Sequence, residues 1–561
     1  MKKRISTLSE SYKSYESEAL KLIESNDDSS LIIKKLKDRL YMYLAAASEV
    51  EHLLGMQYLY CAFSMKKYPE EFSDYDPSKP LERKTYLKRL QQIEAIRRWE
   101  AKILYVSRQE MEHLNMVQNL IAILGYDPYM FRPNYPVTRE ENPLKEPINL
   151  MPFSMHCMEV FRYWEKPDHL NLKSPFLGNL PAAIKALFSQ TDHKPRSFSE
   201  HDAIAKAWKD LVQEMKSGNS DINKHIDSIE ELYTFIRVYF QFMLKHKLIE
   251  GTNLNRIVEE HFGFNISLDP VVDGKYNQYI DDVINQIMEE GEGVWGVPPP
   301  LDSHFMVFQQ IMDELSDMEK DDDVPFEPAL PVVFNPTISD VQAYHNVVLP
   351  KDSGDNQSTS PMYKITNEVS IQAMGLYNEA YNVLIQMLYG FFKFYSIDYT
   401  TGIRPPVPNA FFRTSFYPFM TMVMRPLGEM LCRLPADESF VPNGGQVPPR
   451  TAGPNFFLNI DQKAGLVAID DHFGNAMELS YFMDKFKEMS EKAASIGEQC
   501  AAKNYHMANY KEPDARDFDT RFQYLSENFF RIGQNFENYW TGKIVAPIPS
   551  QNFQNFSDTF N

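Results

Sequence analysis

Two residues in the stretch SRQEMEHLNMVQNLIAILG, numbered 107 to 125, could do chemistry together: Glu110 and His113. Apolar residues recur through this stretch at helical spacing. At i, i+3 a carboxylate and an imidazole leave the same helical face, close enough to share one metal ion. In helical bundles that hold two metal ions bridged by carboxylates, two helices each supply a Glu-x-x-His pair and two others each supply one glutamate. The remaining ligands must then come from other helices.

Glu51 is the first candidate, because it lies among Leu44, Ala45, Ala46, Ala47, Leu53, Leu54 and Met56, where an uncompensated carboxylate is costly to bury. Tyr58 follows two turns on along the same face. Glu49 and His52 form a second Glu-x-x-His on this helix, so spacing alone does not single out the ligand. Glu231 stands beside apolar neighbours in SIEELYTFI. Glu289, Glu290 and Glu292 cluster in IMEEGEG ahead of His304 in SHFMVF, which leaves room for an interrupted carboxylate-imidazole pair. Carboxylate and imidazole ligands without thiolate suit iron or manganese over a structural zinc cage.

The elements that must position these residues are helices separated by proline-rich breaks. Helical spacing runs over 31–67, with Ser29 and Ser30 as caps, and over 87–124, where Gly125 supplies the stop. Five prolines between 128 and 147 mark a long irregular crossover. Further helices are expected near 152–166, 200–216, 224–246, 276–290 and 303–318, then at 364–396, 409–433 and 472–506, before an aromatic tail with little periodicity. The organisation expected is a charged leader (1–28), a metal-binding bundle (29–318), an acidic proline-rich linker (319–361) and a mainly helical region packed on the bundle (362–561).

A chain of 561 residues, 43% of them hydrophobic, has ample material for large cores. Its formal charge of −20 without a concentrated basic patch argues against nucleic acid or an anionic membrane surface as partner. The four cysteines show no metal-ligand spacing and no disulfide framework, which fits a reducing compartment. Polar residues follow the basic start MKKRISTLSESYKS where a secretory signal needs an apolar core, so a cytoplasmic protein is expected. No phosphate-cradling glycine loop, dinucleotide fingerprint or nucleophile-elbow serine is found. His472 in IDDHFG and the turn Asn443, Gly444, Gly445 are read as solvated loop.

The ordered elements resemble the ferritin-like domain of iminophenyl-pyruvate dimer synthases, the oxidative coupling enzymes of bisindole pathways. Glu51 is followed two turns later by Tyr58 and Leu59. Glu110, Met111 and His113 match a Glu-Met-x-His element, with Asn119 and Leu120 downstream. Glu231 falls on the glutamate of the next element. Gly291, Glu292 and Gly293 followed by Ser303, His304 and Phe305 match the last. YNEAYNVLIQMLYGFF and AGPNFF extend the likeness, which spans roughly residues 30 to 460. Gln109 stands where the second element often has another acidic residue.

The resemblance implies a mainly α fold, a ferritin-like four-helix bundle with long crossovers and a C-terminal helical annex. It implies Glu51, Glu110, His113, Glu231, Glu292 and His304 around two iron ions, with manganese as the alternative and Glu110 best placed to bridge. The activity implied is dioxygen-dependent oxidation or oxygenation of a small organic metabolite in specialised biosynthesis. No c-type haem motif or axial haem ligand is found, so haem is not expected. A homo-oligomer and an electron-donor protein are left open as partners. Two other readings stand beside this one: a metal-oxidising protein without an organic substrate, and a bundle with a degraded site that serves as an interaction surface.

Overall fold

The computed structural model describes residues 12–25, 29–76, 79, 81–167, 170, 200–217, 226–249, 276–291, 299–320, 326–339, 361–394, 406–440, 447–459, 478–507 and 517–544. Among these the chain is mainly helical. Its strands are β1 (Pro336–Thr337) and β2 (Tyr363–Lys364), a short parallel pair.

The N-terminal half is built from α1 (Lys13–Glu24), α2 (Ser29–Phe63), α3 (Arg83–Leu124), α4 (Met155–Trp164), α5 (Glu200–Ser217), α6 (Ile229–Lys245), α7 (Tyr276–Glu290) and α8 (His304–Glu319). From Tyr43 to Phe63, α2 is buried on nearly every face, which is what a helix apolar all round requires. It packs on α3 along one side and on α5 and α6 along another, while α7 joins α6 and α3, and α8 lies against α4 and α3. Gly55 brings α2 and α3 together: a Cβ there would lie 3.2 Å from the Cβ of Glu110, and the Gly55 carbonyl accepts a 2.9 Å hydrogen bond from Ser107. The stop expected at Gly125 is real, with φ of 86° in the left-handed region that glycine adopts without strain.

Two expectations about organisation change. The charged leader contains α1, which packs on α5 through Ala19. Within the span expected as a linker, residues 326–339 pack onto the core: Leu330, Val332 and Val333 are buried, the Leu330 N–H donates to the Ser64 carbonyl, and the Val333 N–H donates to the Thr451 carbonyl. Three apolar residues in LPVVF outweigh the acidic flanks there. Both segments border residues that fall outside the described set.

The C-terminal half comprises α9 (Glu368–Phe394), α10 (Pro406–Thr414), α11 (Arg425–Leu431), α12 (Leu479–Ala502) and α13 (Phe518–Trp540). The single helix expected over 409–433 is instead α10, a π-helical stretch over Ser415–Met424 and α11. Pro418 sits inside the π stretch, where its missing N–H breaks the regular α ladder. The aromatic tail is corrected as well. Phe518, Phe522, Leu525, Phe529, Ile532 and Phe536 alternate by four and three residues and form one buried stripe of α13. This stripe packs antiparallel on Phe482, Phe486, Met489, Ala493 and Ile496 of α12, with Gly533 opposite Phe486 and Gly497 opposite Phe522.

The halves share one core. Gly428 of α11 meets the ring of Phe63 on α2 so closely that a Cβ would clash at 2.6 Å. Lys67 bridges Glu100 and Glu429 at 2.9 and 2.6 Å, and Arg433 reaches Glu71 at 2.7 Å. On another side of α2, His52 Nε2 lies 2.5 Å from the Tyr381 hydroxyl of α9, which also accepts from the buried Arg132 at 3.0 Å. No helix of the described residues is long and apolar enough to cross a membrane.

Candidate metal centre

Glu51 in the middle of α2, Glu110 and His113 on α3, and His304 at the first position of α8 converge on one buried point. Ser303 caps α8, its side chain accepting the Met306 N–H, so His304 is aimed inward from a fixed helix start. Two triads can each hold an ion: Glu51, Glu110 and His113, and Glu110, Glu165 and His304. Within each, the ligand atoms lie within 4.8 Å of one another. Glu110 belongs to both.

The geometry around the two rings is nearly symmetric. His113 Nδ1 lies 3.3 Å from Glu51 Oε2 and 3.5 Å from Glu110 Oε2. His304 Nδ1 lies 3.1 Å from Glu110 Oε1 and 3.4 Å from Glu165 Oε2. The rings stack at 5.6 Å. On its far side His113 Nε2 meets Glu290 Oε2 at 3.2 Å. Behind the carboxylates, the Tyr233 hydroxyl donates to Glu51 Oε1 at 2.5 Å and the Tyr58 hydroxyl donates to Glu165 Oε1. A cavity of about 20 Å³ lies among these groups, lined also by Leu54, Ile229, Glu230, Ile287 and Met288.

Protonation at these groups follows from crowding. Burial, reinforced by the Glu110 charge, pushes the Glu51 carboxyl up to about 7. Burial disfavours charge on His304, but Glu165 and Glu110 outweigh it and raise the imidazole to about 9. His113 is likewise raised well above the usual imidazole range, burial being overcome by Glu110, Glu290 and Glu51. Burial would raise Glu290 too, yet its bond to His113 brings it down to about 2. Burial would raise Glu110 as well, but His304 and His113 together lower it. Five carboxylates surround two imidazoles, so protonating both rings leaves buried negative charge that a cation would balance.

The residues fit a metal pair on an observation independent of charge. Both ring nitrogens of His304 are buried without a hydrogen-bond partner, although carboxylate oxygens stand 3.1 and 3.4 Å away. A ring nitrogen and carboxylate oxygens that stand this close without an aligned hydrogen bond are arranged as ligands for a cation that would displace the ring proton. Donors about 2.1 Å from one ion stand roughly 3 Å apart when adjacent, close to the spacings here. The cysteines are buried and contribute to neither triad, so the donor set is oxygen and nitrogen alone.

Of the six residues expected from sequence, the structure brings Glu51, Glu110, His113 and His304 together. Glu231 it does not. The Glu231 carboxylate takes the Lys206 ammonium at 2.6 Å on one oxygen and the Asp227 N–H at 2.7 Å on the other. Its own N–H donates to Ser228 Oγ, the cap of α6. The third residue after a serine cap is where a glutamate turns back to the helix start, and Ser228 with Glu231 at that spacing carries the signal. Glu230, one position earlier and three before Tyr233, lines the cavity instead. Glu292 lies outside the described residues, as do Gly293, His472 and Asn443 to Gly445.

Glu165, at the end of α4, escapes sequence reasoning altogether. Three residues before His304 stands Leu301 where a carboxylate would complete the pair, and Glu165 arrives from a separate helix to stand beside His304. No local spacing marks it. The ambiguous second pair on α2 resolves: Glu49 bonds the Tyr129 hydroxyl and His52 bonds Tyr381, both away from the triads. Glu289 is exposed, whereas Glu290 is the partner of His113.

Residues 44–313 match the protein family described as Ferritin-like, a span that includes every residue of both triads. The chain matches no curated protein and no solved structure.

Proposed function

We propose that the ferritin-like domain over residues 44–313 holds two iron ions between Glu51, Glu110, His113, Glu165, Glu230 and His304, and oxidises a small organic metabolite with dioxygen. The observation that carries this reading is the pair of buried triads sharing Glu110. Bound iron would supply electrons to dioxygen two at a time. The chain's own contribution is geometric. Glu110 directs one oxygen toward each imidazole, which is the posture of a bridge. Glu290 accepts the Nε2 proton of His113, fixing the tautomer whose Nδ1 lone pair faces the triad. Leu54, Ile229, Ile287 and Met288 line the cavity and limit water beside the reacting atoms.

The organic substrate and the place in specialised biosynthesis are supported by the resemblance of the ordered Glu51, Glu110, His113 and His304 elements to iminophenyl-pyruvate dimer synthases. An electron-donor protein would serve to reset the ions between turnovers. A second reading, oxidation of iron itself without an organic substrate, is favoured by the small cavity of about 20 Å³.

One experiment separates them. The full chain is purified anaerobically, its iron and manganese are counted per chain, and dioxygen uptake is followed with and without a panel of aromatic and imino-acid metabolites. About two irons with substrate-dependent uptake and a new organic product supports the oxidase. Uptake driven only by added ferrous iron supports the second reading, and absence of stoichiometric metal overturns both.

A further inference from the structure

We infer that Tyr58 and Tyr233 are positioning residues of the metal centre: each hydroxyl holds the outer oxygen of one carboxylate, so that Glu165 and Glu51 each offer a single oxygen to an ion and Glu110 offers two. The inference rests on the dinuclear reading above and assigns binding modes within it.

The argument is in the atoms. Glu51 accepts the Tyr233 hydroxyl on Oε1 and presents Oε2 to His113. Glu165 accepts the Tyr58 hydroxyl on Oε1 and presents Oε2 to His304. In both, the tyrosine engages the oxygen turned away from the imidazole. Glu110 differs, with Oε1 toward His304 and Oε2 toward His113. A phenol donating to a carboxylate makes a charge-assisted bond, stronger than one between neutral groups. For Glu51 or Glu165 to swing its second oxygen onto an ion, that charge-assisted bond to a fully buried tyrosine must break. The carboxylates are thereby held to one binding mode.

Each tyrosine also comes from a different helix than the carboxylate it holds. Tyr58 of α2 takes Glu165 at the end of α4, and Tyr233 of α6 takes Glu51 of α2. Tyr60 provides the contrast. Two residues from Tyr58 and equally buried, it donates to the Val333 carbonyl and touches neither triad, the behaviour of a tyrosine that only secures the fold.

The test uses the full-length, metal-free protein titrated anaerobically with Co(II), whose visible absorption weakens as coordination number rises. Tyr58→Phe and Tyr233→Phe should each weaken one of two binding steps about 10- to 100-fold, and each should lower absorbance per cobalt as the released oxygen joins the ion. Tyr60→Phe should leave both steps and the spectrum unchanged. Placing p-aminophenylalanine at 58 or 233 restores a donor and should restore the wild-type titration. Wild-type behaviour in both phenylalanine variants would overturn the inference while leaving the dinuclear reading intact. Should those variants fail to fold, the p-aminophenylalanine proteins decide, a folded protein with altered steps counting against it. A wild-type chain that binds no cobalt removes the dinuclear reading and this inference together.

Discussion

Glu290 Oε2 lies 3.2 Å from His113 Nε2, on the side of the ring opposite Glu51 and Glu110. A ligating imidazole is oriented by the acceptor of its other nitrogen, and removing that acceptor typically weakens metal binding about 10- to 100-fold. Glu290→Ala should show a loss of that size by competition with a chelator, while the circular dichroism of the metal-free protein stays unchanged. Wild-type affinity in this variant would mean that His113 is held by something else.

Glu110 and His113 make separable predictions although they share α3. Because Glu110 serves both triads, Glu110→Ala should reduce binding at both sites, whereas His113→Ala should empty one. Alanine keeps the helix in each. Anomalous scattering from crystals soaked in ferrous iron counts the ions directly.

The glutamates at the start of α6 can be told apart. Glu231→Ala should leave metal stoichiometry alone and lower stability by about 1 kcal/mol through the lost helix-start contacts, read as a drop in Tm. Glu230→Ala should do the reverse, keeping Tm and weakening metal binding.

The metal-free protein should lose stability as pH rises. The His304 imidazole stands at about 9 in the fold against an ordinary 6.5, so its contribution is complete below about 6.5 and gone above about 9. Glu51, raised to about 7 from 4.5, acts in the same direction over 4.5 to 7, since the folded state holds the proton the unfolded state has released. Glu290 opposes this only in acid, its contribution vanishing as pH falls from about 4.5 to about 2. Denaturant midpoints should therefore fall between pH 6.5 and 9, on the order of 3 kcal/mol for His304 alone. Metal-loaded protein should show a flatter profile, because cations replace the protons.

Much of the centre was legible from spacing because its parts are local. Glu110 and His113 share a helix turn, Glu51 sits in an apolar run that gives it no other excuse, and His304 follows a serine cap. What was not legible depends on chain packing. Glu165 ends a ten-residue helix with no partner at helical distance, and only the fold brings it beside His304. Glu231 was legible as a helix-start residue, since Ser228 stands three positions before it, but its apolar neighbours made it look like a ligand. In α13, phenylalanines at four- and three-residue intervals carry a helical stripe that their abundance concealed. The packing of residues 326–339 onto the core follows from long-range pairing with Ser64 and Thr451, which no local pattern records.

The bond between His52 and Tyr381 places the second half of the chain one residue from Glu51. The two halves are therefore not separable modules. A fragment ending after α8 would strip the cover from α2 along its Phe63 and His52 sides, wetting the rear of the very rod on which Glu51 is mounted. The ferritin-like match ends at residue 313, but the packing that supports Glu51 does not.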